Sequence, residues 1–299
     1  MDGPKSRSTC AAGWLLAGVL AGVIVRGVLI GFGFQRFGYI RLVNILVLVK
    51  AVPVVGTERL DSDFWTDRTV SLEANGNDEY NLEKALKLTE ALGGEVTVLS
   101  VGPAGATDAI RKALAMGAAR AVHVADDAMK GSDIRSTLTV LEAAVRKLDY
   151  DLLLVGADTS DGQGGVLAAA LAVKLGLPYL SYASEIEPAN GGVRIHRITN
   201  TGYDVLEAPT PALVMGTQLL GEPRYPSLRG IMQARSKPIE QWSLSDLGVD
   251  SAAVGGAAAD TKTLRADKPP ERAGAQFVRE APDAAAAQLV EFLASRRLI

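Results

Sequence analysis

The run DLLLVGADTSDGQGG, residues 151–165, concentrates the residue types best suited to holding a phosphate. An apolar segment of strand length leads into a loop of small residues, and a helical pattern opens at its far end. Gly156, Gly162, Gly164 and Gly165 would let backbone N–H groups reach a ligand with no side chain in the way. The helix N-terminus beyond them would add free donors and partial positive charge. The loop fits neither the P-loop nor the GxGxxG pattern, so chemistry rather than motif singles it out. Asp158 and Asp161 would repel a phosphate, a difficulty eased if one of them faces ribose hydroxyls. The plainer alternative is a tight strand-to-helix turn that uses glycine for geometry alone.

Little else in the chain competes as a reactive centre. Cys10 is the single cysteine, which excludes an internal disulfide, a cysteine zinc site and an iron–sulfur cluster, and suggests a reducing compartment. His123, inside an apolar strand, reads as structural, and His196, between Arg194 and Arg197 on an expected hairpin, reads as a surface residue. Trp14, Trp65 and Trp242 are too scattered to form a stacking platform. Any redox chemistry would therefore belong to a borrowed cofactor.

The elements that must position this loop follow a regular order. The chain has 299 residues, 48% hydrophobic and 22% charged, an ordinary globular composition that excludes a mainly disordered chain. A net charge of −3 does not point to nucleic acid. Apolar runs at 44–49, 95–101, 121–124 and 151–155 alternate with helical periodicity, predicting an α/β fold with a mostly parallel sheet and helices on both faces. Leu82, Ala85, Leu86, Thr89 and Leu92 mark one face of a helix over 78–92. Further helices are expected over 107–116, 133–148 and 164–175, the last stopped by Gly176 and Pro178. Beyond Pro178, short antiparallel strands are expected at 186–187, 193–198, 204–207 and 212–216. Residues 251–263 read as an Ala/Gly-rich linker, and a C-terminal arm carries an amphipathic helix over 283–295.

Residues 1–42 stand apart, with a charge of +4 against −7 for the rest of the chain. The uncharged stretch Ser8 to Val25 is at the lower limit for crossing a bilayer, and the basic residues before it would leave the N-terminus in the cytoplasm. A membrane anchor or a leader are alternatives to the preferred expectation, that Val43 is the true start and the upstream residues a mis-set one. On that expectation the domain spans 43–250, the linker and arm 251–299, and the protein is cytoplasmic.

Several segments resemble the beta subunit of electron-transfer flavoproteins: NILVLVKAVP (44–53), VTVLSVGP (96–103), IRKALAMGAARAVHV (110–124), GADTSDGQGGVLAAALAVKLGLP (156–178), GEPRYPSLRGIMQARSKPIE (221–240) and DKPPERAG (267–274). The resemblance implies an adenine-nucleotide-binding, Rossmann-like domain with a C-terminal arm that contacts an alpha subunit. It implies a heterodimer in which beta holds AMP and FAD sits mainly on alpha. Electrons would come from acyl-CoA and other dehydrogenases of fatty acid beta-oxidation and pass to a quinone oxidoreductase or another acceptor, with no covalent catalysis by this chain. The implied AMP contacts are Leu48; Asn75, Gly76, Asn77 and Asp78; Val101; and Gly156, Ala157, Asp158, Thr159, Ser160, Asp161, Gly162, Gln163, Gly164, Gly165, Val166 and Leu167. Leu228, in the polar, turn-rich stretch 222–232, corresponds to the leucine that docks the dehydrogenase. The chain departs from the family at Val54 and Val55, where Asp and a flavin-facing aromatic are common, and at Gly76 and Asn77, where Pro and Phe are common. Two other readings fit the same residues: a nucleotide-binding regulatory domain, and a bifurcating-type subunit with a second FAD in place of AMP.

Overall fold

The computed structural model describes residues 43–267, 274 and 277–299; the expectations for residues 1–42 lie outside them. The described residues fall into two compact units, one ending at Lys262 and the other beginning at Thr263.

The chain enters through β1 (Val43–Leu48), makes a small antiparallel ribbon of β2 (Ala51–Pro53) and β3 (Leu72–Ala74), and continues into α1 (Gly76–Leu92). Then follow β4 (Gly94–Val101), α2 (Thr107–Met116), β5 (Arg120–Val124), α3 (Ile134–Arg146), β6 (Leu152–Gly156) and α4 (Leu167–Leu175). Next come β7 (Tyr179–Ala189), β8 (Gly192–Thr199), β9 (Gly202–Pro209) and β10 (Ala212–Gly216). The unit closes with α5 (Leu228–Ser236), β11 (Ile239–Trp242), α6 (Leu244–Leu247) and α7 (Gly255–Ala258). In the second unit, α8 (Pro282–Ser295) is a helix with Pro282 at its start.

The main sheet has nine strands in the order β11-β5-β4-β1-β6-β10-β7-β8-β9. Pairings from β11 through to β7 are parallel, and β8 and β9 extend the edge as an antiparallel meander. Strand alternation sorts side chains into two cores. Ile45 and Val47 pack with Leu82 and Leu86 of α1 and Ile110 and Leu114 of α2. Leu46 and Leu48 pack with Leu141 and Val145 of α3 and Leu171 of α4. From β1 the chain steps outward to β4 and β5, then crosses back to β6 on the other side of β1, so helices cover opposite faces.

Four expectations need correction. Residues 212–216 are not antiparallel: β10 lies parallel between β6 and β7, every residue buried. An unbroken apolar run without alternation suits a strand covered on both faces. The helix expected from 164 starts at Leu167, because Gly165 has φ 63° and Val166 caps the helix in a non-ideal conformation. The polar stretch 222–232, expected to be turn-rich, becomes helical at Leu228, the start of α5, with the Ser227 hydroxyl accepting from Gly230 N at 3.0 Å. The expected linker is packed over 251–258: Val254 is buried, Gly255 N donates to Ser132 Oγ and Gly256 N to Lys130 O, each at 2.9 Å.

Candidate functional site

Where β1 parts β4 from β6, a cavity of about 1140 Å³ opens at the carboxyl ends of the strands. Its apolar floor is Leu48, Leu99, Val101 and Val155. One wall is the loop after β6 and another the start of α3 with Asp133, Ile134 and Thr137, the two meeting where a Cβ at Gly164 would lie 3.1 Å from Ile134 Cδ1. Residues 61–69, between β2 and β3, form the third.

The structure brings many of the expected site residues to this cavity. Leu48, Asp78, Val101, Gly156, Ala157, Asp158, Thr159, Asp161, Gly162, Gly164, Gly165 and Leu167 line it. Asn75, Gly76, Asn77, Ser160, Gln163 and Val166 do not, and several of these brace it from behind. Asn75 occupies the N-cap position of α1 but makes no side-chain cap; its amide donates instead to Asp158 O at 2.9 Å. Asn77 donates to the same carbonyl at 3.0 Å, and Asn75 Oδ1 accepts from Ser160 N at 3.3 Å. The two segments thus act as one structure, the first holding the backbone of the second. Gln163 N closes the loop on Thr159 O at 3.0 Å, while Val166 is exposed.

Glycine at 156 is a steric requirement. A Cβ there would stand 2.2 Å from Asp78 Oδ1. That buried carboxyl accepts from Lys50 N at 2.8 Å. Burial pushes its pKa up to about 7, against the opposing hydrogen bonds of Lys50 and Asn75. At Gly165, φ 63° and open space leave the backbone bare toward the cavity.

Sequence reasoning missed Lys50, Arg68 and Trp65, all in the lining. Lys50 stands at the carboxyl end of β1, a position that would have signalled it. Arg68 and Trp65 come from a segment with no period. Trp65 packs on bare backbone: a Cβ at Gly131 or at Gly256 would lie 2.4 Å from its ring. Lys130 Nζ stands 5.5 Å from the ring centre. Asp161 is held between Lys50 and Arg68. His123 is buried, its Nε2 3.2 Å from Gly102 O, and His196 stacks on Tyr203.

Leu228 lies elsewhere, at the first turn of α5. It is 76% exposed and is joined at the surface by Tyr225, Ile231 and Met232. The segment before it is tethered by Arg224, whose Nε donates to buried Glu83 at 2.7 Å and whose Nη2 donates to Glu90 at 3.0 Å. Among the described residues no helix is long and apolar enough to cross a membrane, and no group of acidic, His or Cys side chains could hold a metal.

An open parallel sheet with its cleft outside the strand ends, at the point where the strand order reverses, defines the doubly wound α/β class. The electron transfer flavoprotein domain matches residues 66–247. The chain is 37% identical over 267 residues to the electron transfer flavoprotein subunit beta of Mycobacterium leprae (strain TN), covering 86% of this chain and 100% of that one. It is 35% identical over 263 residues to the subunit beta of Thermoanaerobacterium thermosaccharolyticum, with the same coverage. It is 33% identical over 239 residues, 79% of this chain and 91% of the other, to the caffeyl-CoA reductase-Etf complex subunit CarD of Acetobacterium woodii. The chain belongs to the electron transfer flavoprotein family.

Proposed function

We propose that this chain is the beta subunit of a cytoplasmic heterodimeric electron-transfer flavoprotein and an electron carrier without covalent catalysis of its own. It holds AMP in the cleft beside β1, completes a dimer whose FAD lies mainly on the alpha subunit, and offers Leu228 to acyl-CoA and other dehydrogenases. FAD, when bound, supplies the electron-accepting and electron-donating chemistry, which passes electrons on to a quinone oxidoreductase or another acceptor. This chain's part is to bind, orient and exclude water.

The observation that carries the reading is the meeting of Asp78 and of the loop after β6, segments far apart in sequence, in one cavity at the strand ends. The residues suit a nucleotide. The apolar floor fits a base, the bare backbone at Gly164 and Gly165 fits a phosphate, and the start of α4 adds free N–H donors. A second reading, FAD in place of AMP in this cleft, is favoured by size. About 1140 Å³ exceeds the usual small-molecule site, which spans ~300–1,000 Å³.

The test is the nucleotide released by acid from the purified complex, identified by chromatography. AMP is expected. Gly164→Asp should abolish it, since it places bulk against Ile134 Cδ1, 3.1 Å from an added Cβ, and negative charge where backbone donors meet phosphate. Unchanged AMP content in that variant would remove the loop from the site.

A further inference from the structure

Three segments distant in sequence meet at one carboxylate on the cavity wall. The Asp161 side chain is only 2% exposed. Its Oδ1 accepts from Lys50 Nζ at 2.8 Å, and its Oδ2 is paired with the Arg68 guanidinium. Arg68 also donates to Ala51 O at 2.8 Å, and Lys50 Nζ donates to Thr159 Oγ1 at 3.3 Å. Burial alone would raise the Asp161 carboxyl, but attraction to Lys50 and Arg68 outweighs it and holds the group below its ordinary value. The carboxylate is therefore ionised and fully matched, while two cations around one anion leave a positive charge in surplus.

That surplus faces the ligand space. Lys50 and Arg68 keep 35% and 26% of their side chains exposed, and both line the cavity, Lys50 beside Gly162. A Cβ at Gly162 would come within 3.4 Å of Lys50 Nζ, so glycine leaves room beside the ammonium. The rest of the lining is acidic, with Asp67, Asp126, Asp127, Asp133 and Asp158. Lys130, the remaining basic residue of the lining, is paired with Asp61 and lies over Trp65. A ligand anion thus finds its compensating charge at Lys50 and Arg68, two cations that share one carboxylate. A buried ion cluster is costly to desolvate, and one that carries excess charge toward a cavity is best matched by a counter-ion there.

We infer that Lys50 and Arg68 read the phosphate of the bound nucleotide, and that Asp161 is the positioning residue that aims them. The inference rests on the nucleotide reading above and assigns its charge recognition to side chains that the family resemblance did not mark.

The experiment titrates the full chain, freed of bound nucleotide, with AMP and with adenosine by calorimetry at low and high salt. The wild type should prefer AMP, and the preference should shrink with salt. Lys50→Met should cost about tenfold in AMP affinity, the scale of one charged hydrogen bond, and leave adenosine unchanged. Arg68→Met should behave alike. Asp161→Asn should lower the AMP-over-adenosine ratio, and Asp161→Glu should recover part of it, as no purely structural loss would. Variants that weaken AMP and adenosine equally, or that keep the wild-type ratio, would overturn the inference while leaving the nucleotide site standing. A wild-type chain that binds neither compound would bring down the nucleotide reading and this inference together.

Discussion

Asp78 and Gly156 show how closely the site is built at the scale of single residues. Gly156→Ala must push the Asp78 carboxyl off its hydrogen bond to Lys50 N, because the new Cβ would overlap Oδ1. The cost should be roughly 1–3 kcal/mol, read from chemical denaturation; an unchanged midpoint would show that the carboxyl has somewhere else to go. Asp78 also sets a pH dependence whose sign is definite. Its folded pKa of about 7 lies above the ordinary 3.8. Between those values the native state holds a proton that the unfolded chain has released, so this contribution is complete at the acid end and is lost as pH rises through the folded pKa. The melting temperature should therefore carry a falling component between about pH 4 and about pH 7, and Asp78→Asn, which cannot ionise, should flatten it. A variant whose profile runs parallel to the wild type would contradict the assignment.

Elements differ in how far the sequence reveals them, and the difference is physical. β1, β4 and β6 are apolar runs between helical periods, and the repeat from Leu82 to Leu92 marks α1, so local pattern alone finds them. The place of β10 at the centre of the sheet depends on the chain returning past β7, β8 and β9, which no local window contains. The site divides likewise. The glycines after β6 are visible because they follow a strand, whereas Asp161 takes its role from cations 111 and 93 residues away. α5 was hidden by the turn-forming Pro226 and Ser227 before it, and its anchoring explains the exposed leucine. Arg224→Ala would leave buried Glu83 with Lys87 alone, 3.3 Å away, and should cost roughly 1–3 kcal/mol, because Arg224 is itself part-exposed. Leu228→Ala should leave the melting temperature in place, since the side chain is exposed. If it fills a dehydrogenase pocket, the loss is about 2 kcal/mol, or at least ~30-fold in affinity. Steady-state electron transfer would show this as a raised apparent KM. A large fall in melting temperature with unaltered kinetics would place Leu228 in the subunit's own core.

For the whole molecule, the order of strands decides where a ligand goes, and the residues there decide which. The crossing from β5 back to β6 sets the crevice at the carboxyl end of β1, and the two cores pack on opposite faces of the sheet around it. The proposed AMP and the second reading, FAD, compete for this one cleft, and they predict different colours. No GxGxxG fingerprint occurs in residues 43–299, and the loop after β6 offers one group of bare glycines, suited to a single phosphate rather than a pyrophosphate carried across a helix start. The flavin of the heterodimer would then need the alpha subunit. The isolated chain should be colourless and release AMP, and the yellow of flavin should appear only on co-expression with an alpha subunit. Absorbance in the flavin band, set against the nucleotide released by acid, measures both at once. Stoichiometric FAD in the isolated chain would decide for the larger ligand: the excess volume of the cavity would then be occupied space, with the wall of residues 61–69 and Trp65 enclosing the part that AMP leaves open.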